Sequence, residues 1–561
     1  MNGRVPTTRS SGRLTTTSGS RRKLADIAAA TGLSLAGYIL YRHALRLYWL
    51  FDDPFHLRFL LEQRVGDYLL QPGVANQAAL SVHLTIFLLS HDFDLSVFGL
   101  APAAHYAHQL ITVVACALAL YGVLRLWIAP WAAAVGGMVW MLGPAVAASA
   151  PLLMVRHFFE ALLFAAGSVA AFVVALRRGR QSWAALSAGA CLVAVMLMEI
   201  AVVVPLVLLL LPEKDLRQRA RLLVPHAVAG LIYVAYRLWI LRALVATYGW
   251  AIDEGGAARL ALALPAKLAV AMTGGRGLPG VLLITALVAG ALALSWSGAL
   301  RIAAILAAAA LPLVPFSTEM QPRYALVPWT VLAVGLAVAG ARLAGRGRHG
   351  RWLAAALAAA ALAGAAAAGR STWRDRLADL ERMSLENRFL ARAGERDVLS
   401  HPASAASTLG ELQRLRALAG ESGAPAAWLR DELYLCLGRA DGKRLWEFDA
   451  ATGAVREVPA ESRAARERAC GEVRWDAPLE ARFSWREQGL FWRLGPYSTP
   501  AYAIVFGDGA ESIPVPPRGG YRIAASDLAL RVRYADPAGW LTYSPELRLE
   551  RGEPERSWRR P

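Results

Sequence analysis

The sequence predicts an α-helical polytopic membrane protein of about eleven spans, ending in a small extracytoplasmic β domain. Three observations carry this. Of 561 residues, 56% are hydrophobic and only 18% charged, with a mean hydropathy of +0.37; soluble domains are about half apolar and about a quarter charged. The apolar residues gather in blocks of roughly 17–25, the length that carries a helix across a hydrocarbon core of about 30 Å. Beyond residue 443 the pattern changes to short alternating runs, such as "RFSWREQGLFWRL" and "LALRVRYADPAGW", punctuated by Gly, Pro and Asp. Runs of that kind read as antiparallel strands of a sandwich. The net charge of +18 does not point to nucleic acid, because the arginines sit between apolar blocks, where topology signals are written.

Residues 1–23 are polar, basic and without periodicity, and read as a disordered cytoplasmic tail. The apolar stretch after them is too long for a signal-peptide core and shows no clear cleavage site, so it reads as a retained span over 25–50. Further spans are expected near 107–127, 131–149, 154–176, 182–197, 199–211, 222–243, 279–297, 301–316, 324–342 and 352–368. With the basic tail inside, the loops placed in the cytoplasm hold Arg125, "RRGR" (177–180), 212–221, Arg301 and 341–351, all basic. Those placed outside begin at Asp52–Asp53, 251–256 and 317–323, and carry acids. The signs agree with the positive-inside rule, and an odd number of spans leaves residues beyond 370 in the periplasm of a bacterial inner-membrane protein. The domains read as the tail 1–23, a membrane domain 24–369 with a long outer loop 52–106, a helical linker 370–442 and a β-sandwich-like domain 443–561. Cys436 and Cys470, alone in that compartment, are a pair an oxidising periplasm can join.

The outer loop opens on two adjacent acids, "LYWLFDDPFHLRFLLEQ" (48–64). Apolar residues at helical spacing over 54–70, and a second apolar piece over 78–90, read as helices lying in the membrane interface. A carboxylate at headgroup depth suits a general base acting on a hydroxyl or amine from the aqueous side. A lipid-linked phosphate donor would present its cleavable bond at the same depth, and its leaving phosphate needs cations. Arg156–His157 and Arg323–Tyr324, at the outer starts of two spans, supply them, with His105 and His108 at i and i+3 nearby. Glu199, between two apolar half-spans, is costly in lipid and a functional candidate for that reason. No third ligand at a telling spacing joins the histidines, so no metal cofactor is expected.

Taken in order, the acidic pair, the amphipathic loop, "FGLAPAAHYAHQL", Arg156, "MEIAVVVPLVLLLL" and "QPRYALVPW" resemble the GT-C superfamily of polyprenyl-phosphate-dependent glycosyltransferases, especially the protein O-mannosyltransferase type and its bacterial relatives, over about residues 25–345. The resemblance implies inverting transfer of a sugar from a polyprenyl-phosphate donor to an extracytoplasmic acceptor (protein, lipid or glycan). It nominates Asp52 as base, with Asp53 orienting it or contacting the acceptor, and Arg323, assisted by Arg156, as the phosphate cation. Two positions depart from the family pattern. Met198 stands where a lysine commonly precedes the glutamate, and Gln71–Pro72 replaces an Arg-Pro pair; each removes a positive charge. The competing readings are a flippase for a lipid-linked saccharide, and an inactive scaffold whose outer domain binds glycan or protein. Trp485, Phe491, Trp492 and Trp540 can stack on sugars or fill the sandwich core.

Overall fold

The apolar blocks fold as helices in the computed structural model, which describes residues 16–79, 85–242, 256–273, 278–314, 321–420, 425–486, 489–498, 501–521, 527–552 and 555–561. The helices that position the sites are α1 (Thr16–Tyr41), α2 (Asp53–Glu62), α3 (Leu88–Phe98), α4 (Pro102–Leu124), α5 (Arg156–Arg178), α6 (Leu326–Ala344), α7 (Gly347–Leu390) and α8 (Ala406–Leu418). Among the described residues seven helices are long and apolar enough to cross a membrane, and five shorter apolar helices of 10–17 residues accompany them. Four of the eleven expected spans fall on the shorter helices, and a further apolar helix over Leu262–Thr273 had no expected counterpart, so eleven is not the count that length supports. The first span also ends early. α1 starts at Thr16, inside the expected tail, and stops at Tyr41, followed by a 3-10 turn over Arg42–Arg46 and extended chain to Leu50. Residues 1–15, 251–255 and 315–320, expected to be tail and outer loops, lie outside the described residues, as do 80–84 in the second interfacial piece.

The chain divides into two units, residues 1–47 with 63–377, and residues 48–62 with 378–561. The first is the helical membrane unit. Its helix ends follow local chemistry: Pro102 opens α4 at a position where a missing N–H costs nothing. Gly179 closes α5 in the left-handed region, φ +66°, where only glycine is unstrained.

The second unit is built on three sheets. In the first, β1 (Asp397–Ser400), β2 (Ala427–Leu429), β3 (Arg444–Asp449) and β4 (Ala454–Glu457) are ordered β2-β1-β3-β4, with β1 parallel to both neighbours. Thus the segment 370–442, expected as a helical linker, also holds two strands of a small α/β layer. The other two sheets form the expected sandwich. One contains β5 (Leu479–Arg486), β6 (Gly489–Gly495), β9 (Arg518–Tyr521) and β13 (Arg556–Arg560), in the order β13-β5-β6-β9. The other contains β7 (Tyr502–Phe506), β8 (Glu511–Val515), β10 (Asp527–Ala535), β11 (Leu541–Tyr543) and β12 (Leu547–Glu550). Alternate residues of β5, among them Phe483 and Trp485, meet Tyr502, Ile504 and Val532 of the facing sheet in one core. Trp485 and Trp492 belong to that core and Trp540 packs against it, whereas Phe491 is 40% exposed. Cys436 and Cys470 are joined by a disulfide, with Cα atoms 5.1 Å apart.

Candidate functional site

The double aspartate belongs to the second unit. Phe51 stands in the left-handed region at φ +48°, a strained conformation for a bulky residue. The turn is closed on both sides: the Leu50 N–H donates to Asp53 Oδ2 and the Asp53 N–H to the Leu50 carbonyl, each at 2.9 Å. Asp53 is thereby buried, while Asp52, just before α2, is exposed, its carbonyl accepting the His56 N–H at 3.0 Å. Burial holds the His56 imidazole below its ordinary pKa, against the opposing charge of Asp52. The strap around the turn is fixed within the same unit. Ser384 Oγ accepts the Tyr48 N–H at 2.8 Å, Asn387 donates to the Trp49 carbonyl at 2.8 Å, and Arg58 pairs with Glu411. One carboxylate is structural and the other is presented to solvent.

In the membrane unit the other expected residues separate into three groups. Arg156 is fully buried and engaged: it donates to Asp94 at 2.5 Å, to Ser90 at 3.1 Å and to the His105 carbonyl at 3.1 Å. Asp94, also fully buried, accepts from His108 Nδ1 at 2.6 Å. Burial pushes the Asp94 carboxyl up, but the His108 hydrogen bond and the Arg156 charge outweigh it and hold the group below the usual carboxylate range. His105 is buried against the Gly99 carbonyl at 2.9 Å. Asp94, which organises this cluster, was not singled out in the sequence; it lies 62 residues from Arg156 and has no motif around it. The second group is Glu199, which is ion-paired with Arg237, itself 3.3 Å from the Tyr233 hydroxyl.

The third group has a different character. Arg323 stacks its guanidinium 5.2 Å from the Tyr324 ring centroid and reaches the Tyr324 hydroxyl at 3.4 Å, while its buried Nε has no hydrogen-bond partner among the described residues. Arg376, near the end of the membrane unit in α7, lies within electrostatic range of Arg323. Neither is ion-paired to a described carboxylate. Tyr324 touches Phe158, 6.2 Å between centroids, and Phe158 touches His157 at 4.8 Å. Phe158 in turn lines an apolar groove between α4, α5, the 199–211 segment, the 296–314 helix and α6. Cys116, Ala165, Met198, Val207 and Val334 are among its other walls, and Thr330 is the one hydroxyl there. From Phe158 to Val169 the groove follows α5 for about 16 Å. Met198, the departure noted in the sequence, thus supplies apolar wall where a lysine would have brought charge. Among the described residues no cluster of His, Cys, Asp and Glu is arranged to hold a metal ion.

No protein-family model matches the chain, and no curated protein does. Among solved structures the chain is similar to ArnT from Cupriavidus metallidurans bound to undecaprenyl phosphate, with a TM-score of 0.41, 14% identity, and coverage of 75% of this chain and 92% of that one. The same protein in its apo state gives a TM-score of 0.38 at 14% identity, over 75% and 93%. At these values the overlays assign no residue and no substrate.

Proposed function

We propose that this protein is an integral-membrane glycosyltransferase of the GT-C kind, moving a sugar from a polyprenyl-phosphate donor to an acceptor outside the cytoplasm with inversion. The observation that carries the reading is the apolar groove whose Phe158 wall adjoins Tyr324, with Arg323 stacked on that ring, Arg376 within electrostatic range of Arg323, and no described carboxylate pairing either arginine. A ligand suited to this arrangement has a long apolar tail and an anionic head, and the groove's apolar walls match a polyprenyl chain. Two arginines within electrostatic range of each other suit a dianionic phosphate, which can draw charge-assisted hydrogen bonds from both.

In this reading Asp52 removes the proton from the acceptor hydroxyl or amine as its oxygen or nitrogen bonds to the anomeric carbon. The bond from that carbon to the phosphate oxygen breaks, and polyprenyl phosphate leaves with the electron pair, its charge met by Arg323 and Arg376. Asp53 holds Asp52 in place through Leu50. Arg156, committed to Asp94, acts in positioning, keeping the start of α5 and its His157 and Phe158 in register.

The test is donor binding by the full chain in nanodiscs, using a photoreactive polyprenyl phosphate. Wild type is expected to cross-link within the groove, and Arg323→Gln with Arg376→Gln to lose at least about tenfold in affinity. Equal labelling of wild type and double variant would remove the phosphate site from the proposal.

A further inference from the structure

The sandwich carries a charged face that the transferase reading does not use. In the sheet ordered β13-β5-β6-β9, Arg482 of β5 lies directly opposite Arg493 of β6, and Arg493 directly opposite Arg518 of β9. All three are exposed, on the face turned away from the core. Like charges directly opposite across antiparallel strands destabilise a sheet, and here no described carboxylate pairs with any of the three. Ser557 of β13 completes the row beyond Arg482. Glu480, two residues before Arg482 on β5, is already held by Arg559 at 2.7 Å. Three cations thus stand in a line spanning two strand spacings, about 10 Å, and no described residue neutralises them.

The adjoining row has a different make-up. Phe491 pairs with Ser484 on one side and Gly520 on the other. A Cβ at Gly520 would come within 2.6 Å of Phe491 Cδ1, so the absence of a side chain there lets the ring lean across β9. The ring remains 40% exposed and is the exposed large apolar side chain among the described residues of this sheet. A face that enters a membrane needs several projecting apolar groups; a single ring leaning along a sheet beside a line of guanidinium groups offers a stacking surface and anion contacts.

We infer that this face binds an acidic saccharide, with Phe491 stacking on a sugar ring and Arg482, Arg493 and Arg518 meeting carboxylate or phosphate groups on successive units. Charge complementarity and the stacking ring carry the assignment, and it does not depend on the proposed transfer reaction.

The experiment uses the full chain in nanodiscs of neutral phosphatidylcholine, with fluorescent oligogalacturonate and phosphomannan as probes and fully methyl-esterified oligogalacturonate as the uncharged control. Wild type is expected to bind at least one acidic probe, more weakly as salt rises, and to ignore the ester. The triple exchange Arg482→Gln, Arg493→Gln, Arg518→Gln is expected to weaken binding at least about tenfold, and Phe491→Ala severalfold. Because the triple exchange relieves repulsion, its melting temperature should equal or exceed that of wild type, separating lost binding from lost folding. Absence of binding to both acidic probes at low salt, or unchanged affinity in the triple variant, would overturn the inference. So would arginine-dependent attachment only to discs containing phosphatidylglycerol and indifferent to Phe491→Ala, which marks a membrane-facing surface. No sugar is transferred in this assay, so its failure leaves the transferase proposal standing, and failure of that proposal leaves this one.

Discussion

Asp53 and Leu50 exchange two hydrogen bonds, each 2.9 Å long, around a turn that holds Phe51 at φ +48° and leaves Asp52 exposed just before α2. The adjacent acids therefore differ in kind. Asp53→Ala removes the acceptor for the Leu50 N–H and should destabilise the second unit by about 1–2 kcal/mol. Asp53→Asn keeps an acceptor oxygen and should melt within about 0.5 kcal/mol of wild type. Chemical or thermal melts of both variants in detergent decide this, and similar losses in both would contradict the structural role.

The strap that carries Asp52 is fixed by Ser384 and Asn387 of α7. Asn387→Ala frees the Trp49 carbonyl at a cost of about 1–3 kcal/mol. With Asp52 less well placed, kcat should fall severalfold while the donor KM stays near its wild-type value. A rise in KM with kcat unchanged would mean that the strap serves donor binding.

Most of the membrane unit was legible because it obeys simple rules. Long apolar runs such as those of α4 and α5 have one outcome in lipid, and basic loops mark their ends. What escaped the reading has physical reasons. β1 reads "DVLS" and β2 "AWL": strands this short, paired in parallel, show no alternation to detect. The membership of 48–62 in the second unit rests on partners more than 300 residues away. The engagement of Arg156 escaped because its counter-ion, Asp94, lies on a separate helix, α3, and Arg376 sits in a charged stretch with no motif to single it out. Glu199 was read as a buried charge in need of a role; Arg237, 38 residues on, pairs with it.

The Asp94–Arg156 pair yields a pH prediction. Asp94 has its folded pKa below the ordinary carboxylate value, so on acidification the unfolded chain takes up the proton first. Its contribution is fully present above about pH 4 and declines as pH falls through the depressed value. Asp94→Asn, which leaves a buried guanidinium without its anion, should cost about 3–5 kcal/mol near neutrality and flatten the acid limb of the stability profile. An unchanged acid limb would show that other carboxylates govern it.

The groove makes a steric prediction. Ala165→Phe places a ring in its lumen and should raise the KM for a long-chain polyprenyl donor about tenfold or more, with a smaller effect on a short-chain analogue. Equal effects on both chain lengths would argue against the groove as the tail's seat.

The disulfide closes a loop with a sequence separation of 34 between Cys436 and Cys470. Its loss in Cys436→Ser should lower the stability of the second unit by about 2–4 kcal/mol, read as a lower melting temperature that reductant reproduces in wild type and does not add to in the variant.

The central claim is that Asp52 is the base of a sugar transfer from a polyprenyl phosphate. The direct measurement is release of labelled sugar from a panel of polyprenyl-phosphate donors by the purified protein in nanodiscs, comparing wild type, Asp52→Asn and Asp53→Asn. The account predicts turnover by wild type with at least one donor. Asp52→Asn should lower kcat by about 10²–10⁴-fold with donor binding intact, and Asp53→Asn should retain most of the rate. Undiminished turnover in Asp52→Asn, or no turnover of any donor by wild type, would contradict it.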